Sequence, residues 1–245
     1  MRVFGLIGHP LAHSWSAEFW NAAFARNAMH DCVYRNFDLA DVHELTTLIN
    51  AHPNIEGLNV TIPHKSAVLP LLDRIDPVAQ AIGAVNTIHV IDGEKIGYNT
   101  DAEGFRRSIR PFLEPIHDKA LVLGTGGASK AVRHVLQSLG IPVFLVSRRA
   151  DEGALTYEAL SADVVKNCRL IVNCTPVGMS GFSNDSPIQP EGIGAQHLVV
   201  DLIYNPAETK LLREARQQGA IAINGADMLR FQAEEAMRIF FGRVL

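Results

Sequence analysis

The feature that most constrains the fold is residues 121–130, LVLGTGGASK, near the middle of the chain. Three apolar residues run into Gly124, Gly126 and Gly127, and residues 131–139 then have the spacing of an amphipathic helix. A strand, a glycine turn and a helix let the backbone approach a pyrophosphate, and the helix N-terminus presents unpaired N–H groups to it. The segment therefore predicts a dinucleotide site.

A glycine-rich surface turn is the alternative interpretation of the same segment. The third glycine position of the usual G-x-G-x-x-G pattern holds Ser129, so the motif alone does not exclude that alternative. A second apolar stretch follows the helix at residues 142–146, as a βαβ unit requires. This context favours the dinucleotide site.

The residues after that second strand indicate which dinucleotide binds. An acidic residue there would accept hydrogen bonds from the ribose 2′-OH of NAD, but the chain has Ser147, Arg148 and Arg149. Two arginines can neutralise a 2′-phosphate, and one can stack on adenine. The sequence thus favours NADP(H), although an isolated Arg-Arg pair can equally be a solvated basic turn.

Composition excludes several classes of function. The chain has 245 residues, 47% of them apolar and 20% charged, which suits one large or two modest globular domains. A net charge of −4 with scattered basic residues predicts no nucleic-acid partner and no anionic-membrane partner. The apolar run at the N-terminus is too short for a signal peptide, and no stretch approaches the length of a membrane span.

The cysteines and histidines predict no metal site. Cys32, Cys168 and Cys174 are too few and too irregularly spaced for a disulfide framework or a zinc site, which favours a reducing cytoplasm. His9 and His13 are four residues apart, but Pro10 between them argues against a helix that would present both to one ion. We expect both histidines to lie in a loop.

The remaining pattern predicts an α/β protein of two domains. Apolar strands are expected at residues 2–7, 33–37 and 55–60, and a hairpin at 84–98, so the first hundred residues are α/β on their own. In the second half, strands are expected near 170–173, 198–202 and 220–223, with helices near 156–160 and 208–218 and a final helix at 226–241. The predicted domains are an N-terminal α/β domain, residues 1–101, and a C-terminal Rossmann-type dinucleotide-binding domain, residues 102–225.

Eight short motifs in order along almost the whole chain resemble those of the shikimate dehydrogenase family. They are HSWS at 13–16, NVTIPHK at 59–65, GAVNT at 83–87, GYNTD at 97–101, GTGGA at 124–128, TPVGM at 175–179, DLIY at 201–204 and GADMLRFQ at 225–232. The resemblance implies reversible NADPH-dependent reduction of 3-dehydroshikimate to shikimate, in the pathway to aromatic amino acids. It also implies that residues 1–101 form an N-terminal substrate domain, that the final helix returns to it so that residues 226–245 join this domain, and that the active site is a cleft between the domains.

The resemblance assigns the catalytic roles to Lys65, paired with Asp101. When hydride reaches a carbonyl carbon, the oxygen gains negative charge, so a cationic donor beside it stabilises the transition state and can supply the proton. An aspartate within reach would orient the lysine and bind a substrate hydroxyl. By composition alone, Lys65 would be a solvated lysine at a helix start and Asp101 a helix cap.

The remaining site residues are also implied by the resemblance. Those expected to bind the substrate are Ser14, Ser16, Thr61, Asn86, Asp101, Tyr204 and Gln232. Those expected to bind NADP(H) are Gly124, Thr125, Gly126, Gly127, Ala128, Ser147, Arg148, Arg149, Thr175, Leu202 and Gly225. A small polyhydroxylated acid needs many short donors and acceptors, and the first group supplies them.

The chain departs from the family pattern at three places. Ala17 replaces a common proline, Ser147-Arg148-Arg149 replaces the usual Asn-Arg-Thr, and Cys174 replaces a threonine or alanine. The loss of the asparagine amide leaves the strength of NADP preference open.

Three alternative functions remain open at this point. They are a quinate/shikimate dehydrogenase with relaxed substrate or cofactor use, a catalytically silent nucleotide-binding module, and an enzyme like methylene-tetrahydrofolate dehydrogenase. The pair Lys65 and Asp101 argues against the silent module, and the serine pair and the NTD sequence at 99–101 argue against the third. The partner we expect is a small-molecule substrate, with the protein a monomer or a homodimer.

Overall fold

The computed structural model describes residues 1–11, 14, 16–149 and 153–245. His13, one of the two histidines predicted to lie in a loop, falls outside the described residues, as does Trp15 of the HSWS motif. The chain forms two compact units, residues 1–100 with 233–245 and residues 101–232. The domain boundaries at 101 and 225 stay a prediction, because the predicted domains are functional units and this division is one of packing alone.

Unit 1 is built on a mixed six-stranded sheet in the order β2-β1-β3-β5-β6-β4. Its strands are β1 (Arg2–Gly8), β2 (Cys32–Asp38), β3 (Ile55–Val60), β4 (Arg74–Ile75), β5 (Thr87–Ile91) and β6 (Glu94–Tyr98). The first three strands are parallel, with β1 in the middle. The predicted hairpin is present, since β5 and β6 pair antiparallel around residues 92–93. The carboxyl ends of β1, β2 and β3 therefore meet at one edge.

Helices cover both faces of this first sheet. They are α1 (Ser16–Arg26), α2 (Glu44–Ala51) and α3 (Pro77–Ile82), joined by residues 233–241 of α8 (Ala226–Phe241). On one face Phe240 of α8 packs with Phe4 and Trp20, and Trp20 stacks on Tyr34 at 5.3 Å between ring centroids. A Cβ on Gly57 would lie 2.5 Å from the Phe240 ring, so β3 admits α8 because this position has no side chain.

Unit 2 contains a sheet of six parallel strands. The strands are β7 (Ala120–Leu123), β8 (Val143–Ser147), β9 (Leu155–Thr156), β10 (Leu170–Asn173), β11 (Leu198–Asp201) and β12 (Ile221–Ile223). The order is β9-β8-β7-β10-β11-β12, which, numbered from β7, is the 3-2-1-4-5-6 order of dinucleotide-binding folds. Strands β7 and β10 are buried along their whole length, as expected for parallel strands covered on both faces.

The helices of unit 2 depart from the sequence prediction between residues 155 and 167. They are α4 (Thr100–Ile109), α5 (Gly127–Ser138), α6 (Ala162–Asn167), α7 (Lys210–Gln217) and residues 226–232 of α8. The helix predicted near residues 156–160 is wrong as an α-helix, because this segment forms the short strand β9 and one 3-10 turn at Tyr157–Ala159. The α-helix begins later, where Ser161 caps it by accepting the Val164 N–H.

No helix within the described part of the chain is both long and apolar enough to cross a membrane.

Candidate active site and cofactor site

The glycine turn lies between β7 and α5 in unit 2. Gly124 has φ +96°, and a Cβ there would lie 3.0 Å from the Thr175 Cγ2 atom, so both conformation and space require glycine. Gly126 is the N-cap residue of α5, no side chain of the described residues caps this helix end, and a Cβ at Gly126 would meet nothing within 4 Å. The N-terminus of α5 therefore faces open space in which an anion fits.

The adjacent parallel strand ends beside this turn. Strand β10 pairs with β7, and the chain order reverses between them, which is the switch point at which open α/β sheets bind ligands. After β10, Thr175 donates both its N–H, at 2.9 Å, and its hydroxyl, at 2.7 Å, to Asn173 Oδ1. The Thr175 hydroxyl in turn accepts the Val177 N–H. The loop that borders the glycine turn is thus held by the fully buried Asn173.

A buried carboxylate holds Asn173 in its turn. Asn173 Nδ2 donates to Asp201 Oδ1 at 3.0 Å, the Ile203 N–H donates to the same oxygen, and the Thr209 hydroxyl donates to Oδ2 at 2.7 Å. Burial raises the pKa of Asp201, while these three hydrogen bonds act to lower it. The Asp201 carboxylate therefore links the loops after β10 and β11 to the start of α7. We name Asn173, Thr175, Asp201 and Thr209 the buried polar network.

The other residues predicted to bind the cofactor also lie at this carboxyl edge. Ser147 is the last residue of β8, and its hydroxyl accepts the Arg149 N–H, which fixes the turn carrying Arg148 and Arg149. Both arginine side chains are exposed. Leu202 follows β11 and Gly225 precedes α8, where a Cβ on Gly225 would overlap the Leu202 carbonyl group. The structure thus brings these residues to one edge of the sheet.

The residues predicted to bind the substrate in unit 1 gather at the carboxyl edge of β1 to β3. The Thr61 N–H donates to Ile7 O, and its side chain lies beside Gly8, where a Cβ would overlap it. Ser14 Oγ accepts the Ser16 N–H at 3.3 Å, which agrees with a role of Ser14 in starting α1. Thr61, Ser14 and Ser16 are partly exposed.

Lys65 and Asn86 are placed by the same unit. The Lys65 carbonyl accepts the Val85 N–H at 2.7 Å, which ties the segment after β3 to the residue before Asn86. Asn86 is buried, and its side chain accepts the Thr100 N–H and donates to the Thr100 hydroxyl. Thr100 is the first residue of α4, and Asp101, 5% exposed, is the second. Asn86 therefore holds the first residue of α4, the helix that carries Asp101, by hydrogen bonds.

Besides Asp101, two of the predicted substrate residues belong to unit 2. Tyr204 is 43% exposed in the loop after β11, and Gln232 on α8 donates to Leu229 O one turn earlier. A side chain on Gly104 would lie 2.9 Å from Gln232 Cβ, so α4 and α8 are in close contact here. Ligand contacts by these residues stay predictions.

Sequence reasoning assigned no supporting role to the residues that hold the loops of the site. Asn173 and Asp201 end the apolar strands LIVN and LVVD, and a buried polar residue at the carboxyl end of a strand is a recognisable signal. Asp38 also ends a strand, β2, but it is exposed, and it contacts His9. The structure groups no set of three or more His, Cys, Asp or Glu side chains for a metal ion within its described residues.

The parallel sheet in the order 3-2-1-4-5-6 and the open glycine turn at its switch point define a Rossmann-type dinucleotide-binding protein, joined to a second α/β unit. Residues 6–88 match the family profile described as the shikimate dehydrogenase substrate binding domain. The chain is 39% identical to the shikimate dehydrogenase (NADP(+)) of Symbiobacterium thermophilum, over 99% of this chain and 90% of that protein. It belongs to the shikimate dehydrogenase family.

Solved structures agree with this assignment. The Thermus thermophilus shikimate 5-dehydrogenase in complex with NADP(H) and shikimate is 34% identical, with a TM-score of 0.86 over 100% of this chain and 95% of that chain. The quinate dehydrogenase of Corynebacterium glutamicum in complex with NAD is 30% identical, with a TM-score of 0.88 over 98% of this chain and 94% of that chain. The fold is therefore shared by relatives that differ in substrate and cofactor.

Proposed function

We propose that this protein is an NADP-dependent shikimate dehydrogenase, which interconverts 3-dehydroshikimate and shikimate in aromatic amino acid biosynthesis. The observation that carries the proposal is the similarity to shikimate dehydrogenase (NADP(+)) proteins over 99% of the chain. The architecture of unit 2 supports it, because the glycine turn, the loop after β10 and the two arginines lie at one edge of a parallel sheet.

The residues at the carboxyl edge of unit 2 fit NADP(H). The backbone N–H groups from Gly124 to Ala128 would bind the pyrophosphate at the N-terminus of α5. Arg148, with Ser147 and Arg149 beside it, would bind the 2′-phosphate, and Thr175, Leu202 and Gly225 would border the nicotinamide. When bound, the nicotinamide supplies or accepts the hydride.

The residues of unit 1 would bind the substrate and handle the proton. Ser14, Ser16 and Thr61 would bind the substrate carboxylate or hydroxyl groups, and Asn86 orders the start of α4 beside Asp101. In the direction of reduction, Lys65 would donate a proton to the carbonyl oxygen as negative charge develops there, and would regain it from solvent. Asp101 would orient Lys65 and accept a hydrogen bond from a substrate hydroxyl, with Tyr204 and Gln232 contacting the substrate as well.

A quinate/shikimate dehydrogenase is the second candidate function. The similarity to the quinate dehydrogenase with NAD favours it, as does the replacement of the usual asparagine by Ser147. Initial rates with shikimate and with quinate, each with NADP⁺ and with NAD⁺, separate the candidates. We expect shikimate with NADP⁺ to give the highest kcat/KM. Comparable rates with quinate or NAD⁺ would establish the second candidate, and no turnover with any pair would refute both.

Substitution of Lys65 tests its proposed role as the proton donor. Lys65→Ala should lower kcat by about 100-fold or more, because general acid catalysis contributes that much, while the fold and NADP⁺ binding stay intact. Lys95→Ala is the matched control, since Lys95 is a largely buried lysine of the same unit that pairs with Asp73 on the hairpin. Near-normal turnover of Lys65→Ala, or an equal loss in the control, would contradict the role of Lys65.

The compartment we propose is the cytoplasm. Cys32, Cys168 and Cys174 are all free thiols, and burial raises the pKa of Cys32 to about 11 and that of Cys168 above its ordinary value. Unreactive free thiols suit a reducing compartment. We also propose that the protein binds a small-molecule substrate and no nucleic acid. It would act as a monomer or as a homodimer.

A further inference from the structure

Asp38 is the last residue of β2, and its carboxylate contacts the segment that follows β1. Asp38 Oδ1 is 2.6 Å from His9 Nδ1, and Asp38 Oδ2 accepts the Leu11 N–H at 3.2 Å. One side chain thus contacts two residues of a neighbouring segment, one through its side chain and one through its backbone. The hydrogen bonds from His9 and Leu11 hold the pKa of Asp38 below its usual range, so the carboxylate is ionised at neutral pH.

The contacts continue from Leu11 to the serine pair. The Leu11 carbonyl accepts the Ser14 N–H at 3.0 Å, and the Ser14 hydroxyl accepts the Ser16 N–H. Leu11 itself is 7% exposed and packs in the core with Trp20 of α1. The Leu11 N–H donates to Asp38, and the Leu11 carbonyl accepts the Ser14 N–H. Leu11 therefore connects Asp38 to Ser14 by two hydrogen bonds.

The same segment is fixed beside Thr61 from the other side. The His9 N–H donates to Ile62 O, and the Leu39 N–H donates to Gly8 O, each at 3.0 Å. The segment after β1 is therefore held between the ends of β2 and β3. Of the hydrogen bonds between this segment and the end of β2, the two to Asp38 involve its side chain. A substitution of Asp38 removes these two bonds.

We propose that Asp38 is a positioning residue for the substrate, which places Ser14 and Ser16 through His9 and Leu11. This inference rests on the proposed function, in which the two serines bind the substrate carboxylate. It predicts that loss of the Asp38 carboxylate weakens substrate binding and leaves the cofactor site in unit 2 unchanged.

Three variants test the proposal by steady-state kinetics. Asp38→Ala should raise the KM for shikimate about fivefold to tenfold, less than the about tenfold to 100-fold expected from losing a charge-assisted hydrogen bond to the ligand itself, because Asp38 acts through Leu11. Its KM for NADP⁺ should stay within about twofold of the wild-type value. Asp38→Asn should restore most of the substrate affinity, because an amide oxygen can accept the Leu11 N–H and the amide nitrogen can donate to His9 Nδ1.

Asp73→Ala is the matched control. Asp73 is as exposed as Asp38, and it too accepts one side chain, Lys95 Nζ at 2.7 Å, and one backbone N–H, that of Lys95 at 2.8 Å. Asp73 lies just before β4, which pairs with the hairpin strand β6. Among the described residues, it forms no hydrogen bond or ion pair with Ser14 or Ser16. An equal rise in the KM for shikimate in Asp73→Ala, or no rise in Asp38→Ala, would overturn the proposal.

Hydrogen exchange at the Leu11 and Ser14 amides separates this inference from the proposed function. Faster exchange at both amides in Asp38→Ala, and wild-type exchange in Asp73→Ala, would support the positioning of Ser14 whether or not the enzyme turns over shikimate. Absence of turnover by the wild-type protein would refute the proposed function alone. Unchanged exchange in Asp38→Ala would overturn the positioning role.

Discussion

Substitution by alanine should have different effects at two glycines of the turn after β7: a loss of stability at Gly124 and a loss of cofactor affinity at Gly126. Gly124 has φ +96° and little space, whereas Gly126 has φ −73°, a conformation open to any residue, and empty space where a Cβ would lie. In Gly124→Ala the left-handed backbone costs about 1–2 kcal/mol, and crowding against Thr175 adds about 1 kcal/mol. We expect a loss of about 2–3 kcal/mol in the free energy of unfolding.

Gly126→Ala should leave the protein stable and impair cofactor binding. Alanine lowers the entropy of the unfolded chain, which stabilises by about 0.4–1 kcal/mol, and it is a poorer N-cap residue by a similar amount, so the two effects nearly cancel. The added methyl group occupies the space at the N-terminus of α5. Loss of one charge-assisted hydrogen bond to the pyrophosphate weakens binding by about 1.5–3 kcal/mol, or about tenfold to 100-fold in Kd.

Urea denaturation of the protein without cofactor and calorimetric titration with NADP⁺ measure the two effects separately. Gly194→Ala is the control in the same unit, because its Cβ would also meet nothing within 4 Å and its φ lies outside the left-handed region. We expect neither quantity to change in this control. Wild-type affinity for NADP⁺ in Gly126→Ala would refute the assignment of the turn as the pyrophosphate site. Wild-type stability of Gly124→Ala would refute the argument from its backbone conformation.

Three further predictions concern the same unit. Arg148→Ala should raise the KM for NADPH about tenfold or more and that for NADH much less, and an equal effect on both would refute its contact with the 2′-phosphate. Gly225→Ala should lower the free energy of unfolding by about 1–3 kcal/mol, because the new Cβ overlaps the Leu202 carbonyl group, and an unchanged urea midpoint would contradict this. Thr209→Val removes a helix cap and the hydroxyl bonded to Asp201, a loss of about 2–4 kcal/mol. Because burial already raises the pKa of Asp201 in the folded state, the folded state binds more protons than the unfolded state, and stability from this group falls as the pH rises. The Thr209→Val variant raises that pKa further, so its loss in urea denaturation should be larger at about pH 7 than at about pH 5, and an equal loss at both would contradict the coupling.

Local pattern was sufficient to predict most elements of the fold. The strands at 55–60 and 170–173 and the helix at 226–241 have the predicted bounds, because their apolar spacing is contained in a short window. The helix after the glycine turn begins at Gly127, four residues before the amphipathic pattern starts, because residues 127–130 are helical although they carry none of the apolar spacing used for the prediction. The two-residue strand β9 and the helix α6 were not predicted, because segments so short carry no periodicity.

The sequence by itself identified the family and proposed the residues of the candidate site. Apolar strands that end in glycine or polar residues, the arginine pair and the eight motifs are all local features, so they can be identified without knowing how the chain folds. Only the tertiary structure decided which of the polar residues support one another. Asn173 and Asp201 are 28 residues apart, and His9 and Asp38 are 29 apart, yet each pair forms a direct hydrogen bond. Strand order decides these pairs, and it follows from packing summed over a whole sheet, which no short window of sequence contains.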